Sequence, residues 1–184
     1  MRIVLLSLSL LLLAGCVGTK PDRYVVEPTV TPVTARNSSL TVAVAKVTLP
    51  TYAKEAGIFV QGETGALTPV PEADWADETE RAMMLAIVRN LIDLTGATVA
   101  PDPWPLGGVP EAEIRVEVER MFVDRTSTMK LTGQFSIRRD QATSRNRIVP
   151  FNIQVPAASR SPVDIVAAHT DSWRELSKLI AKQL

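Results

Sequence analysis

Three runs in the second half of the chain alternate between apolar and polar residues, a period of two that suits a half-buried β-strand. Ile114, Val116 and Val118 alternate with Arg115, Glu117 and Glu119, and the run continues to Phe122. Met129, Leu131, Gly133, Phe135 and Ile137 form a second run, and Val149, Phe151, Ile153 and Val155 a third. Each strand presents one dry and one wet face. Their sequential order and short connections predict an antiparallel meander, whose dry face needs a covering layer.

Two helices supply that layer. Met83, Ile87, Leu91 and Leu94 recur at helical spacing, and Met84, Val88 and Ile92 widen the stripe. Asp74 is placed to cap a helix opening at Trp75, Asp77 and Glu78 favour its positive end, and Gly96 terminates it, which predicts a helix over about 75–95. The methionines fall on its apolar face and serve as core filler. Ser161-Pro162-Val163-Asp164 supplies a cap, a first-turn proline and a reach-back acid. Ile165, Ala168, Trp173, Leu176, Leu179 and Ile180 then give the apolar face of a helix over about 162–183. Leu40 to Val47 is apolar on both faces, as expected of a central strand, and Pro50 ends it. Tyr52 to Ala56 suits a turn or short helix, Gly57 to Gln61 a strand, Gly62 to Gly65 a turn into Ala66 to Val70, and Ala97 to Ala100 a further strand. The fold class is a single α/β (α+β) domain: a mixed, largely antiparallel sheet with a C-terminal three-strand meander, packed by two long helices.

Before the domain comes an address. Arg2 and the apolar run Ile3 to Leu13 suit a secretion signal, too short to span a bilayer as a stable helix. The run ends in Leu13-Ala14-Gly15-Cys16, and Cys16 is the only cysteine. This segment resembles the lipobox of bacterial lipoproteins, which implies acylation of the Cys16 thiol and cleavage just before it. The expected organisation is a signal peptide over 1–15, a lipidated N-terminus and flexible tether over 16–39, and the α/β domain over 40–184. Two or three acyl chains hold a protein durably where one binds reversibly. Val17 stands where many inner-membrane lipoproteins carry Asp, which favours the outer membrane, facing the periplasm. Val17 to Ser39 is rich in Gly, Thr, Pro and Ser and reads as the tether. Within it Tyr24-Val25-Val26-Glu27 suits an edge strand and an extended linker equally.

Little in the chain points to catalysis. Removing the leader takes one base and no acid from twenty of each, so there is no electrostatic case for nucleic acid. With Cys16 consumed by lipid, no disulfide or cysteine metal site is expected. His169 is the only histidine, lies four residues before Trp173 and lacks a nucleophile-elbow partner, so a structural role explains it better than a Ser-His-Asp arrangement with Asp164 or Asp171. Glu113, Glu117 and Glu119 share a wet strand face, where spaced acids are solvated or cross-strand paired. Gly107-Gly108 lacks the lysine, strand and helix of a phosphate loop. The expectation is a non-enzyme with no cofactor and no metal. Two surface features remain. Pro101 to Pro110 forms a loop around Trp104, which either contacts a membrane or partner or folds back as a lid. Arg138, Arg139, Arg145 and Arg147 gather at the last hairpin, as a solvated tip or a contact for lipid phosphates or an acidic partner.

Several segments together resemble one family. They are the lipobox, Val44-Ala45-Lys46-Val47-Thr48-Leu49-Pro50-Thr51-Tyr52, Gly57-Ile58-Phe59-Val60, Trp75 at the expected helix start, and Ser172-Trp173-Arg174-Glu175-Leu176-Ser177-Lys178-Leu179-Ile180-Ala181. Their order and spacing, from about Tyr24 to Leu184, resemble the ABC-type transport auxiliary lipoproteins of the PqiC-like (YmbA-like) kind. Ala53-Lys54-Glu55-Ala56 departs from the pattern, where members more often carry an Asp-Arg-like pair. The resemblance implies a lipid-anchored outer-membrane component of an intermembrane system that moves lipids or other hydrophobic molecules and supports envelope integrity. The implied partners are an ABC transporter, a mammalian-cell-entry (MCE) type periplasmic protein and further copies of the chain. The alternative is a lipoprotein regulator of a periplasmic cell-wall or envelope-assembly enzyme.

Overall fold

A computed structural model describes residues 20–27, 39–139 and 146–184. The expected leader, Cys16, Val17, most of the expected tether and Arg145 lie outside them. The element order is β1 (Asp22–Tyr24), β2 (Thr41–Thr48), α1 (Thr51–Lys54), β3 (Gly57–Gln61), β4 (Leu67–Trp75), α2 (Thr79–Thr95), β5 (Thr98–Pro101), β6 (Ala112–Val123), β7 (Thr128–Arg139), β8 (Arg147–Pro156) and α3 (Pro162–Ala181).

The alternating run of β6 is the strand on which the sheet is assembled. Along one edge it pairs antiparallel with β7, from Ala112↔Arg139 to Val123↔Met129, and β7 pairs antiparallel with β8. Along its other edge β6 first lies parallel to β2, from Val42↔Ala112 to Thr48↔Glu117. After a register shift between Val118 and Arg120 it meets β3 at Val60↔Val123. β2 is central, with β5 parallel on its far side. β4 runs antiparallel to β3, and β1 is parallel to β4. The result is an open, mixed eight-stranded α+β sheet in which the long ladders are antiparallel.

Alternation decides where the core sits. Ile114, Val116, Leu131, Phe135 and Met129 are fully buried, while Arg115, Glu117, Glu119 and Gln134 between them are exposed. α2 covers β2 and β5, α3 covers β7 and β8, and the helices pack on each other. Each fully buried large side chain contributes about 1.5–3 kcal/mol. α3 starts as its sequence suggests: Ser161 Oγ accepts the Asp164 N–H at 3.3 Å and donates to Asp164 Oδ2 at 3.0 Å. Hydrogen bonds from Ser159 and Ser161 hold the Asp164 carboxyl below its usual range. α2 ends at Gly96, whose φ of 68° is left-handed and whose N–H caps the Ile92 carbonyl.

Two local expectations are corrected. The helix expected to open at Trp75 begins at Thr79, because β4 continues through Trp75. The reason is pairing on both edges of β4. Trp75 N–H donates to the Ala56 carbonyl at 2.7 Å, and β1 lies alongside in the register Tyr24↔Trp75. Trp75 is buried at the strand end instead of opening a helix. Glu80, in the true first turn, accepts the Leu49 N–H at 2.9 Å and pairs with Lys54 at 3.1 Å. Burial opposes its ionisation, but these contacts outweigh it and hold the carboxyl below its usual range. The second correction concerns the tether. An edge strand is present, but over Asp22–Tyr24 instead of 24–27, and Val26 is buried in the core, so this part of the expected flexible segment is docked.

Gly133 is required where β7 crosses the β6 irregularity. A Cβ there would stand 2.1 Å from the Glu117 carbonyl oxygen and 3.0 Å from Phe151 Cζ, at a φ of +157°. Gly133→Ala is expected to cost on the order of 3 kcal/mol, read as a lower urea midpoint, because the obstruction is backbone and the ladder must part. An unchanged midpoint would show that the β6–β7 register is not held there.

Candidate docking surface

Most of the side chains with catalytic potential are engaged structurally. His169 is 1 % exposed, and the ring of Trp75 stands edge-on to it with centroids 5.1 Å apart. Neither His169 ring nitrogen has a hydrogen-bond partner among the described residues, and the same holds for Trp173 Nε1 one turn on. Burial pulls the imidazole pKa down to about 3, so the ring is neutral and has no path to a solvent-borne substrate. Asp164 is engaged by the α3 cap, and Asp171 lies exposed. Glu113 pairs with Arg115 at 2.8 Å and Arg138 at 2.5 Å, contacts that outweigh the opposing effect of burial and hold it ionised. Glu117 accepts from Thr48 Oγ1 at 3.1 Å, and Glu119 is exposed. Among the described residues no group of three or more His, Cys, Asp or Glu is placed to hold a metal.

The distinctive surface lies at one end of the sheet. There β2 and β6 begin, β7 ends and β8 begins, as the registers Val42↔Ala112, Ala112↔Arg139 and Ile137↔Arg147 require. The loop of residues 102–111 returns to this end, pinned at its start by the Asp102 N–H donating to the Val44 carbonyl at 3.1 Å. Trp104 is partly buried, whereas Leu106 and Val109 are 53 % and 68 % exposed. Beside the loop, Val109, Pro110, Glu113, Arg138, Arg139 and Asn146 line a cleft of about 170 Å³.

The basic hairpin is tied into the fold at its base. Arg139 Nη2 donates to the Gln183 and Leu184 carbonyls at 3.1 and 2.5 Å. Arg147 Nη1 donates to Gln183 Oε1 at 2.7 Å, and Asn146 Oδ1 accepts the Arg139 N–H at 3.0 Å. The hairpin base is therefore braced against the end of α3 instead of waving in solvent. A second groove, of about 400 Å³, opens where α2 and α3 end, lined by Leu40, Leu94, Ala181 and Leu184 together with Lys178 and Lys182. Lysines suit the carbonyl ends of helices. This convergence of loop, hairpin and helix ends is not visible in the sequence, because its parts, from Leu40 to Leu184, are as much as 144 positions apart in numbering. Its local signals are the proline-rich loop around Trp104 and the arginines of the last hairpin, whereas nothing local marks Leu106 and Val109.

The family model described as ABC-type transport auxiliary lipoprotein component matches residues 24–181. Among solved structures, the crystal structure of an uncharacterized protein superposes with a TM-score of 0.74 at 18% identity, covering 90% of this chain and 99% of its own. A Xanthomonas campestris protein bearing the family label DUF330 superposes with a TM-score of 0.68 at 18% identity, covering 87% and 92%. At this identity the likeness establishes the fold alone. A PelC dodecamer from Paraburkholderia phytofirmans is more distant, at a TM-score of 0.44 and 11% identity over 82% and 91%. No curated protein matches the chain.

The buried imidazole has a measurable signature. A histidine neutral when folded and basic at 6.5 when unfolded binds its proton first in the unfolded chain. Its contribution to stability is complete above pH 6.5 and falls by about 1.4 kcal/mol per unit as pH drops toward 3. His169→Phe should flatten the dependence of the urea midpoint between pH 7 and 5 relative to wild type. Equal slopes in the two proteins would contradict a neutral, buried His169.

Proposed function

The chain belongs to the ABC-type transport auxiliary lipoprotein family, and on that premise we propose that it is the lipid-anchored docking component of an intermembrane transport system. In this reading Cys16 carries the acyl chains, residues 1–15 are removed as a signal peptide, and the domain faces the periplasm from the outer membrane. It receives an MCE-type periplasmic protein coupled to an ABC transporter, self-associates, and thereby supports passage of lipids or other hydrophobic molecules between membranes. Its part is binding, without catalysis.

The observation that carries the proposal is the extent of the family match, which spans the domain from β1 to the end of α3. Supporting it, no described helix is long and apolar enough to cross a membrane, and His169, Glu113 and Asp164 are engaged in packing, pairing and capping. The loop and hairpin end provides apolar and basic side chains suited to a protein contact.

Two measurements test this. Radiolabelled palmitate should enter the wild-type chain and not Cys16→Ser. Replacing residues 1–16 with an ordinary cleavable secretion signal should release a folded domain into the soluble periplasmic fraction; a domain still bound to membranes would refute anchoring through Cys16. Photocrosslinking probes in the 102–111 loop of the acylated protein should then capture the MCE-type protein. Capture of a cell-wall enzyme alone would transfer the assignment to the regulator.

A further inference from the structure

The docking of β1 sets how the domain can stand on a bilayer. Cys16 and Asp22, the first residue of β1, are six residues apart, so whatever path the chain takes between them it spans at most about 21 Å. The sheet registers place Asp22 far from the loop end. β6 rises about 36 Å from Ala112 to Val123. Asp22 pairs with Ala73 next to the Gly57↔Asp74 register, about 10 Å below the Val60↔Val123 level. Three strand spacings, β1 to β4 to β3 to β6, add about 14 Å sideways. Asp22 is thus about 26 Å above the level of Ala112 and about 30 Å from it overall.

A pose with the 102–111 loop pressed onto the bilayer would lift Asp22 by about 26 Å, beyond the reach of the leash. Laying the sheet flat would press Arg115, Glu117, Glu119 and Gln134 onto the headgroups, and the exposed Ile148 on that face is too small an apolar group to offset desolvation of the charges around it. The end within reach carries the Gly62–Gly65 and Asp124–Ser127 turns.

We propose that the short leash turns those two hairpin turns toward the bilayer and holds Leu106, Val109, Arg138, Arg139 and Arg147 away from it, as the surface for a protein partner that presents acidic side chains around an apolar anchor. This rests on the reading of Cys16 as acylated. The partner's charge follows from the arginines: Glu113 is the acid lining the cleft, already shared by Arg115 and Arg138, and Arg147 is bonded to a neutral amide oxygen. The exposed Leu106 and Val109 supply apolar contacts on a backbone stiffened by Pro103, Pro105 and Pro110.

The chain's lone cysteine is Cys16, so once it is acylated an introduced cysteine is the single labelling site. Acylated Glu63→Cys and Leu106→Cys, each carrying a fluorophore, would be placed in phosphatidylethanolamine/phosphatidylglycerol vesicles containing nitroxide lipid. Loss of fluorescence is expected at residue 63 and not at residue 106. Equal or stronger loss at residue 106 would overturn the proposal while leaving the anchor intact. A folded protein that does not float with the vesicles would instead overturn the acylation reading. A photocrosslinker at residue 106 should capture the MCE-type protein, with Arg147→Glu lowering the yield about tenfold and a crosslinker at residue 63 capturing none. Unchanged yield in Arg147→Glu would overturn the acidic partner.

Discussion

β6 is hydrogen-bonded along both edges, and nearly every other element takes its place from that strand. One edge holds β7 throughout, while the other is shared between β2 and β3. The exchange occurs at the irregularity around Glu119, where Tyr52 Oη accepts the Met121 N–H at 3.0 Å. Burial raises the pKa of Tyr52, so the phenol stays protonated near neutrality. Tyr52 lies in α1, the short helix between β2 and β3, and its ring meets Phe59 of β3 edge-on at 5.6 Å. One side chain thus ties β3, the strand that replaces β2, to the bulge of β6. A slip of one residue in β6 would turn Ile114 and Val116 to water and Glu117 inward, which is why this register is strongly specified.

The two helices are set against each other by polar as well as apolar contacts. Asn90 Nδ2 of α2 donates to Ser177 Oγ of α3 at 3.3 Å, and Ser177 Oγ donates to the Trp173 carbonyl at 2.8 Å. Thr95 Oγ1 donates to the Leu91 carbonyl at 2.6 Å and accepts the Ala97 N–H at 3.1 Å, coupling the end of α2 to β5. A buried hydrogen bond contributes about 1 kcal/mol when made and costs more when one partner is removed, so the Asn90–Ser177 pair favours one helix register over others that would bury similar apolar area. His169 and Trp173, on the same helix, contribute volume and ring contacts without such bonds.

What was legible in the sequence follows from the range of the forces involved. The meander, the central strand from Leu40 and the start of α3 depend on alternation or on partners within four residues, and each stands close to where pattern places it. The start of α2 is not legible locally because Asp74 resembles a cap and Asp77 and Glu78 suit a helix's positive end, while the strand pairing that claims Asp74 and Trp75 comes from Arg23 and Tyr24, some fifty residues away. The docking of β1 was half-legible, since Tyr24-Val25-Val26 has strand-forming side chains but no local partner. The loop and hairpin end was legible only as fragments, because Arg139 finds its partners at Gln183 and Leu184, and the Leu40 groove is closed by residues from α2 and α3.

The same non-local pairing governs what an anchor at Cys16 can do. With β1 in place, five residues separate the proposed lipid site from the sheet. Were β1 to leave β4, the chain from Cys16 to Leu40 could span at most about 80 Å whatever path it takes. The first arrangement gives the domain an orientation; the second gives it only proximity. The difference depends on three residue pairs between β1 and β4, the Ala76 N–H donating to the Tyr24 carbonyl at 2.8 Å, and the burial of Val26. Burial of a valine side chain contributes roughly 1.5 kcal/mol and each net hydrogen bond about 1 kcal/mol, against a backbone cost of about 1–2 kcal/mol per ordered residue. These opposing terms are of similar size, β1 is the shortest strand of the sheet, and in the proposed anchored state the attitude of the domain depends on its staying paired.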